Sequence, residues 1–227
     1  MTSVLLTGAS RGIGRATAHA LARRGCSLAL LGRNSPNLAS VAAELDHAGT
    51  SVSVVDCDLA EPQQIQAAME RIGQELGTPD VLLNVAGIAV RATVIEMSPE
   101  SFDAQLAVNL RAPFLLARAV LPGMLQRGSG RIINVASISA TLGSPRQSAY
   151  NASKWGLVGF VKSLAEELRD TGVMTVAVLP GSVDTAMLEG SGFSPRMTPE
   201  EVARTLVHYS LDAPLAHNGS IIEMFGV

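Results

Sequence analysis

Cysteine is nearly absent: Cys26 and Cys57 are the only two in 227 residues. Two cysteines cannot make a disulfide framework, and their scarcity points to a reducing compartment. Both flank predicted strands, which suits buried free thiols better than a redox pair. Charge is also sparse, at 16% of residues, and neither sign dominates: 17 Lys and Arg against 20 Asp and Glu leave a formal charge of −3. There is no basic block. Aromatic residues make up only 4% of the chain and form no stripe with basic ones. Nothing therefore favours nucleic acid or an anionic membrane as a partner. The four histidines, His19, His47, His208 and His217, are scattered without metal-ligand spacing, so no metal is expected. No apolar run reaches about 18 residues, and Met1 to Thr7 leads directly into strand-like sequence. Secretion and membrane spanning are not expected, and the cytoplasm is the default location.

The chain does have a large apolar fraction, 47%, in a regular alternation of short β-branched or leucine-rich runs with longer helical patterns. Strands are predicted at Val4–Thr7, Cys26–Leu31, Ser51–Val55, Asp80–Leu83, Arg131–Val135, Val173–Leu179 and Ser220–Met224. Helices are predicted at about 36–48, 62–76, 99–127, 150–171 and 199–211, with a further one after Gly14 that ends before Gly25. Pro113 is expected to break or kink the 99–127 helix. This alternation implies an α/β fold: a single doubly wound domain over residues 1–227, with a mostly parallel seven-stranded sheet and helices on both faces. In such a sheet ligands bind beyond the carboxyl ends of the strands. The informative residues gather there: Gly8 to Gly14, Gly32 to Asn34, Asp58, Asn84 to Gly87, Ser137 and Pro180 to Thr185.

Two motifs carry chemistry. Gly8, Gly12 and Gly14 lie between the first strand and the first helix, where missing side chains let the backbone approach a pyrophosphate at a helix N-terminus. Their Gly-x-x-x-Gly-x-Gly spacing differs from the commoner Gly-x-Gly-x-x-Gly. After the second strand, where an acid often holds the adenosine ribose, stand Gly32, Arg33 and Asn34. Arg33, with Arg11, suits a 2′-phosphate and hence NADP(H). Asp58 and Leu59 are placed to hold and cover the adenine. Further along, Tyr150 and Lys154 share one helix face at i, i+4 spacing. A cation ~4 Å from a phenol at moderate dielectric favours the phenolate by about 4 kcal/mol, roughly 3 pKa units, which suits acid/base chemistry.

Taken together, Thr7-Gly-Ala-Ser-Arg-Gly-Ile-Gly14, Asn84-Val-Ala-Gly87, Asn109, Ser137, Tyr150-x-x-x-Lys154 and Pro180-Gly181 to Thr185 resemble the short-chain dehydrogenase/reductase family over almost the whole chain. The subgroup most similar is that of the 3-oxoacyl-[acyl-carrier-protein] reductases and related NADPH-dependent carbonyl reductases. The resemblance implies a catalytic set of Asn109, Ser137, Tyr150 and Lys154. Tyr150 is then the general acid, Ser137 the hydrogen-bond partner of the reacting oxygen, and Lys154 the ribose ligand that depresses the tyrosine pKa. Asn109 holds a water that extends the proton relay. It also implies a cofactor set of Gly8, Ser10, Arg11, Gly12, Ile13, Gly14, Arg33, Asn34, Asp58, Leu59, Asn84, Ala86, Gly87, Tyr150, Lys154, Pro180, Gly181, Val183 and Thr185. A homo-oligomer, dimer or tetramer, is implied through the helices around 114–124 and 157–168.

Two departures from the family pattern stand out. Val85 replaces the second Asn of Asn-Asn-Ala-Gly, and the substrate cover at 186–198 is short and rich in Gly and Ser, weakening the case for acyl-carrier substrates. Arg91, Arg146 and Arg196 are the only candidates for a basic docking patch. The expected activity is NADPH-dependent reduction of a ketone, either a 3-oxoacyl thioester or a small carbonyl compound. The alternatives are an NAD(P)+-dependent alcohol dehydrogenase and a non-catalytic NADP(H)-sensing protein. Ser139 and Ser153 lack a paired base, so hydrolase chemistry is not expected.

Overall fold

The computed structural model describes residues 1–33 and 35–226. Seven strands form one sheet: β1 (Ser3–Thr7), β2 (Ser27–Gly32), β3 (Val52–Asp56), β4 (Val81–Asn84), β5 (Gly130–Val135), β6 (Val173–Pro180) and β7 (Ile221–Met224). Their order is β3-β2-β1-β4-β5-β6-β7, and every pairing is parallel. The reversal of direction between β1 and β4 is the switch point of a doubly wound sheet, and it opens a crevice at the strands' carboxyl ends.

Strand alternation assigns the two faces. Val4, Leu6, Leu28, Leu30 and Leu83 face one layer, made by α1 (Gly12–Arg23), α2 (Pro36–His47) and α7 (Pro199–Val207). Leu5, Ala29, Leu31, Leu82 and Ile132 face the other, made by α3 (Pro62–Leu76), α5 (Ala112–Arg127) and α6 (Ser148–Glu167). A helix α4 (Pro99–Leu106) packs beside α6. Because both faces are covered, the central strands read as continuous apolar runs. Leu5, Leu6, Leu82 and Leu83 are all fully buried, each contributing about 1.5–3 kcal/mol of transfer free energy.

The break expected at Pro113 takes a milder form. α4 and α5 are joined without interruption by a single π-helical turn, Ala107–Arg111. Proline has no N–H to give to the carbonyl four residues back, which is that of Asn109, and its ring crowds the same place. One wider turn relieves both problems. The joined stretch Pro99–Arg127 is long and apolar enough to cross a membrane by length and composition, although no single uninterrupted apolar run in it is that long. Here Leu116, Ala117, Val120 and Met124 lie buried beneath the sheet.

Candidate active site

The carboxyl ends of β1 to β6 open into one cleft of about 1480 Å³. Its first half is the turn between β1 and α1. Gly8 has φ +76, and an added Cβ there would stand 2.7 Å from the Ala86 nitrogen. At Gly14 the Cβ would stand 2.0 Å from the Gly8 carbonyl oxygen, so this helix can begin so close to the strand only without a side chain. The first turn of α1 carries neither a capping side chain nor an acid, and Gly12, Ile13 and Gly14 line the cleft. An open helix N-terminus in a glycine cradle fits a pyrophosphate.

Thr7 anchors the facing loop. Its Oγ1 accepts from the N–H groups of both Val85 and Ala86 at 3.1 Å. This explains why Val85 is tolerated: the turn is held from β1, and the valine side chain packs against the core layer containing α1.

Arg11, Arg33, Asp58 and Leu59 line the end of the cleft beyond β2 and β3. Both arginines are exposed, and among the described residues neither is ion-paired. Asp58 Oδ1 accepts from Ala60 N at 2.9 Å, and Asp58 N donates to Gln64 Oε1 at 2.8 Å, which fixes the loop before α3. Arg15 and His19, which also line this end, both meet Glu44, at 3.0 Å each. The hydrogen bonds from Arg15 hold the Glu44 carboxyl below its usual range. Cys57 lines the same end, its thiol pushed up to about 11 by burial and by Asp58 and Asp56. Cys26 is likewise a buried free thiol.

The other half of the cleft joins β5, α6 and the segment after β6. Ser137, just past the end of β5, and Tyr150, in the first turn of α6, line the same part of the cleft, and the serine hydroxyl acts on the phenol in the sense of a hydrogen bond to its ionised form. Ser137 Oγ also accepts from Ser139 N at 3.1 Å. Burial pushes the Tyr150 phenol above its usual pKa; the Ser137 hydrogen bond and the charge of Arg91 act in the opposite direction. Lys154 is buried, donates to the Val135 carbonyl at 2.9 Å, and lies over the tyrosine ring with Nζ 5.7 Å from its centroid. Its own pKa is pushed down to about 8 by burial. The expected depression of the phenol by a lysine at its oxygen is thus not what this geometry gives. Pro180, Gly181, Val183 and Thr185 complete the wall, with the Thr185 methyl 3.0 Å from where a Gly12 Cβ would be.

Asn109 is fully buried behind these groups. Its Oδ1 accepts from Ile88 N at 2.9 Å, while Nδ2 donates to Ile88 O at 2.9 Å and to Ser153 Oγ at 3.0 Å. Ser153 in turn donates to the Tyr150 carbonyl at 2.7 Å. Gly87 leaves space beside this pair: a Cβ there would lie 3.3 Å from Asn109 Oδ1 and 3.6 Å from Lys154 Nζ.

Of the cofactor residues read from the sequence, Gly8, Ser10, Arg11, Gly12, Ile13, Gly14, Arg33, Asp58, Leu59, Ala86, Gly87, Tyr150, Lys154, Pro180, Gly181, Val183 and Thr185 all line this cleft. Asn84 does not. It is the last residue of β4, buried in the sheet, and donates to Asn134 Oδ1 at 2.9 Å. Asn34 lies outside the described residues. No cluster of metal-ligating side chains occurs among the described residues.

A family model described as short chain dehydrogenase matches residues 2–192. The chain belongs to this family. It is 36% identical to a 3-oxoacyl-[acyl-carrier-protein] reductase of Synechocystis sp., over 94% of this chain and 90% of that protein. It is 40% identical to a short chain dehydrogenase of Pseudocercospora fijiensis, over 82% of this chain, and spans only 60% of that longer relative. Among solved structures it is similar to a protein described as an NAD(P)-dependent gluconate 5-dehydrogenase from Beutenbergia cavernae with bound NADP. That match has a TM-score of 0.91 and 33% identity, covering 98% of this chain and 94% of the other. L-sorbose reductase from Gluconobacter frateurii, complexed with NADPH and L-sorbose, also matches with a TM-score of 0.91, at 29% identity over 99% and 95% of the two chains.

Within this short-chain dehydrogenase, sequence reading named Arg91 only as a candidate for a basic docking patch and not among the cleft residues. It lines the cleft and bonds the short cover: Nη2 donates to Met187 O at 2.7 Å and Nη1 to Glu189 O at 3.1 Å. Gln147 also lines the cleft, one helical turn before Tyr150. Arg146 and Arg196 do not line it. No local signal marks Arg91, because its partners lie nearly 100 residues away in sequence.

Proposed function

We propose that this chain reduces a ketone, a 3-oxoacyl thioester or a small carbonyl compound, to a secondary alcohol with NADPH, using Tyr150 as the proton donor. The observation that carries this reading is the Ser137–Tyr150 hydroxyl pair beside buried Lys154, facing the same cleft as the glycine cradle. When bound, the nicotinamide supplies the hydride. The protein's part is positioning and proton supply. Ser137 gives a hydrogen bond to the carbonyl oxygen and orients it. Tyr150 gives that oxygen its phenolic proton, so the alcohol gains one hydride and one proton. Lys154 holds the nicotinamide ribose and returns a proton toward the phenol. Both N–H groups of the Asn109 side chain are already engaged. Its main-chain carbonyl, to which Pro113 cannot donate, is then the group that holds a water of the relay.

NADP(H) is favoured over NAD(H) by Arg11 and Arg33, two cations without an ion-pair partner among the described residues, at the end of the cleft where an acid would serve a ribose hydroxyl. The NADP and NADPH in the two similar structures support the same choice. The phenol, held above its usual pKa, supports reduction over oxidation: reduction needs the protonated form, and the reverse reaction needs the phenolate. We read residues 1–227 as one catalytic domain, with 186–198 as its substrate cover. That segment is closed at its base by the Val183–Met197 bridge. Exposed Phe114, Leu125 and Trp155 on α5 and α6 support a homo-oligomer, and the free thiols support the cytoplasm.

The test is NADPH consumption by the purified protein against acetoacetyl thioesters, diketones, quinones and keto-sugars. Turnover is expected with wild type and not with Tyr150→Phe. Full turnover in Tyr150→Phe with an intact fold would overturn the proton-donor role. Tight NADPH binding with no turnover across the panel would favour a cofactor-sensing protein.

A further inference from the structure

The substrate end of the cleft holds two cations, Lys154 and Arg91. Lys154 is buried against the Val135 carbonyl and the tyrosine ring. Arg91 is different. Among the described residues no carboxylate lies within ion-pair distance of it, and Asp184 and Glu200, the acids that line this end, are not its partners. Its acceptors among the described residues are two neutral carbonyls of the cover, those of Met187 and Glu189. Its Nε is buried and has no hydrogen-bond partner.

A guanidinium has five N–H groups in a planar fork. Here two are spent on the cover, and the edge containing Nε–H is left over. A buried N–H without an acceptor is destabilising, and a ligand oxygen that reaches it removes that cost on binding. The charge is also close enough to the reacting phenol to favour its ionised form. An oxygen ligand on this edge would therefore belong to the same small molecule whose carbonyl meets Tyr150. The group that matches a half-used guanidinium edge is a carboxylate, which accepts two parallel N–H bonds and neutralises the charge. A neutral thioester or hydroxyl would satisfy one N–H and leave the charge uncompensated.

We propose that Arg91 is the specificity-determining cation of this site and that the ketone it selects carries a carboxylate. This rests on the ketone-reductase reading and narrows it. The guanidinium that takes the carboxylate also holds Met187 and Glu189, so substrate binding and cover position share one residue. A substrate anion tightens the short cover where a longer lid would otherwise supply the contacts.

The test is equilibrium binding by calorimetry, with and without NADP+, which cannot reduce a ketone and so permits no turnover. The probes are oxo-acids with the ketone at successive positions along the chain, each paired with its methyl ester. Wild type is expected to bind at least one oxo-acid about 10-fold or more tighter than its ester, the scale of one charge-assisted hydrogen-bonded pair. Arg91→Gln and Arg91→Ala should lose that preference, the acid-to-ester ratio falling to about one whatever the loosened cover does to both affinities, and Arg91→Lys should keep part of it. Equal binding of every acid and ester to wild type, or no binding of any acid, overturns the proposal with no variant needed. So does a preference that survives in a folded Arg91→Ala. NADPH turnover on the neutral esters is scored separately. Esters reduced without any acid preference leave the reductase reading standing and remove this one, whereas acid binding without turnover does the reverse.

Discussion

Lys154 Nζ lies over the face of the Tyr150 ring, 5.7 Å from its centroid, and gives its hydrogen bond to the Val135 carbonyl at 2.9 Å. The ammonium is thus placed beside the phenol's π-face and between β5 and α6. Burial sets the direction at both groups: it raises the phenol against the opposing effects of Ser137 and Arg91, and it lowers the amine.

The first consequence is a stability penalty at the site. The lysine's pKa falls from 10.5 to about 8 in the folded protein. Below pH 8 both folded and unfolded states carry the charge, and burial costs roughly 3 kcal/mol. Between about pH 8 and 10.5 the unfolded chain binds more protons than the folded one, so stability rises with pH and the penalty fades. Lys154→Met removes the penalty and loses one hydrogen bond worth about 1 kcal/mol. At pH 7 it should raise Tm by roughly 4–8 °C while abolishing reduction. The gain should shrink as thermal melts are run toward pH 10. An unchanged or lower Tm at pH 7 would contradict the burial argument.

A phenol held above its usual pKa stays protonated throughout the neutral range. In the reductive direction kcat/KM should therefore be flat from about pH 6 to 7, decline around pH 8 as Lys154 loses its proton, and fall further on the alkaline side as the phenol's acid form is lost. In the oxidative direction the same group must be ionised, so that rate should climb with pH over the same interval. Ser137→Ala removes a hydrogen bond that stabilises the phenolate, and should shift both alkaline limbs to higher pH. Stopped-flow pH profiles of wild type and Ser137→Ala check this; superimposable limbs would remove Ser137 from the role.

How legible this was depends on the range of the interactions. Gly8, Gly14, Tyr150 and Lys154 could be brought to the cleft from sequence because their positions follow from spacing within one turn or one helix. The seven strands were readable for the same reason, since burial on both faces leaves continuous apolar runs. Asn84 was misplaced. Ending a strand at the crevice does not decide which way a side chain turns, and across the sheet its register partner is Asn134, which takes its amide. Arg91 and the electrostatics of Lys154 were not readable. Arg91 depends on a loop meeting the cover, and Lys154 on the exact position of Val135, and neither meeting is encoded in local pattern.

Thr7 offers a test of the facing loop. Its hydroxyl is the acceptor for two N–H groups, those of Val85 and Ala86. Thr7→Val keeps the shape and volume but strands both donors, at a cost of about 1–3 kcal/mol each when no water replaces the oxygen. Gly8 packs against Ala86, so the loosened loop also disturbs the cradle. The expected result is a loss of about 2–6 kcal/mol in denaturant unfolding, with NADPH affinity reduced at least several-fold. Thr7→Ser should retain both. Wild-type stability in Thr7→Val would mean that the loop is held by something other than this hydroxyl.

On the proposed reading, Arg33 and Arg11 set the preference for NADP(H). Each is exposed, and their value lies in charge delivered to a phosphate, so their effect should depend on which cofactor is present and on salt. Arg33→Ala should raise KM for NADPH by 10-fold or more, about 1.4 kcal/mol, the scale of one charge-assisted contact, and change KM for NADH by less than about two-fold. Arg11→Ala should act in the same direction and less steeply if it only supplements Arg33. Raising ionic strength should weaken NADPH binding in wild type and have a smaller effect in Arg33→Ala. Paired titrations of the two reduced cofactors at low and high salt separate these outcomes. Equal changes in KM for NADPH and NADH would show that the arginine serves something common to both, such as the adenine face or the loop after β2, and would return the choice of cofactor to open competition.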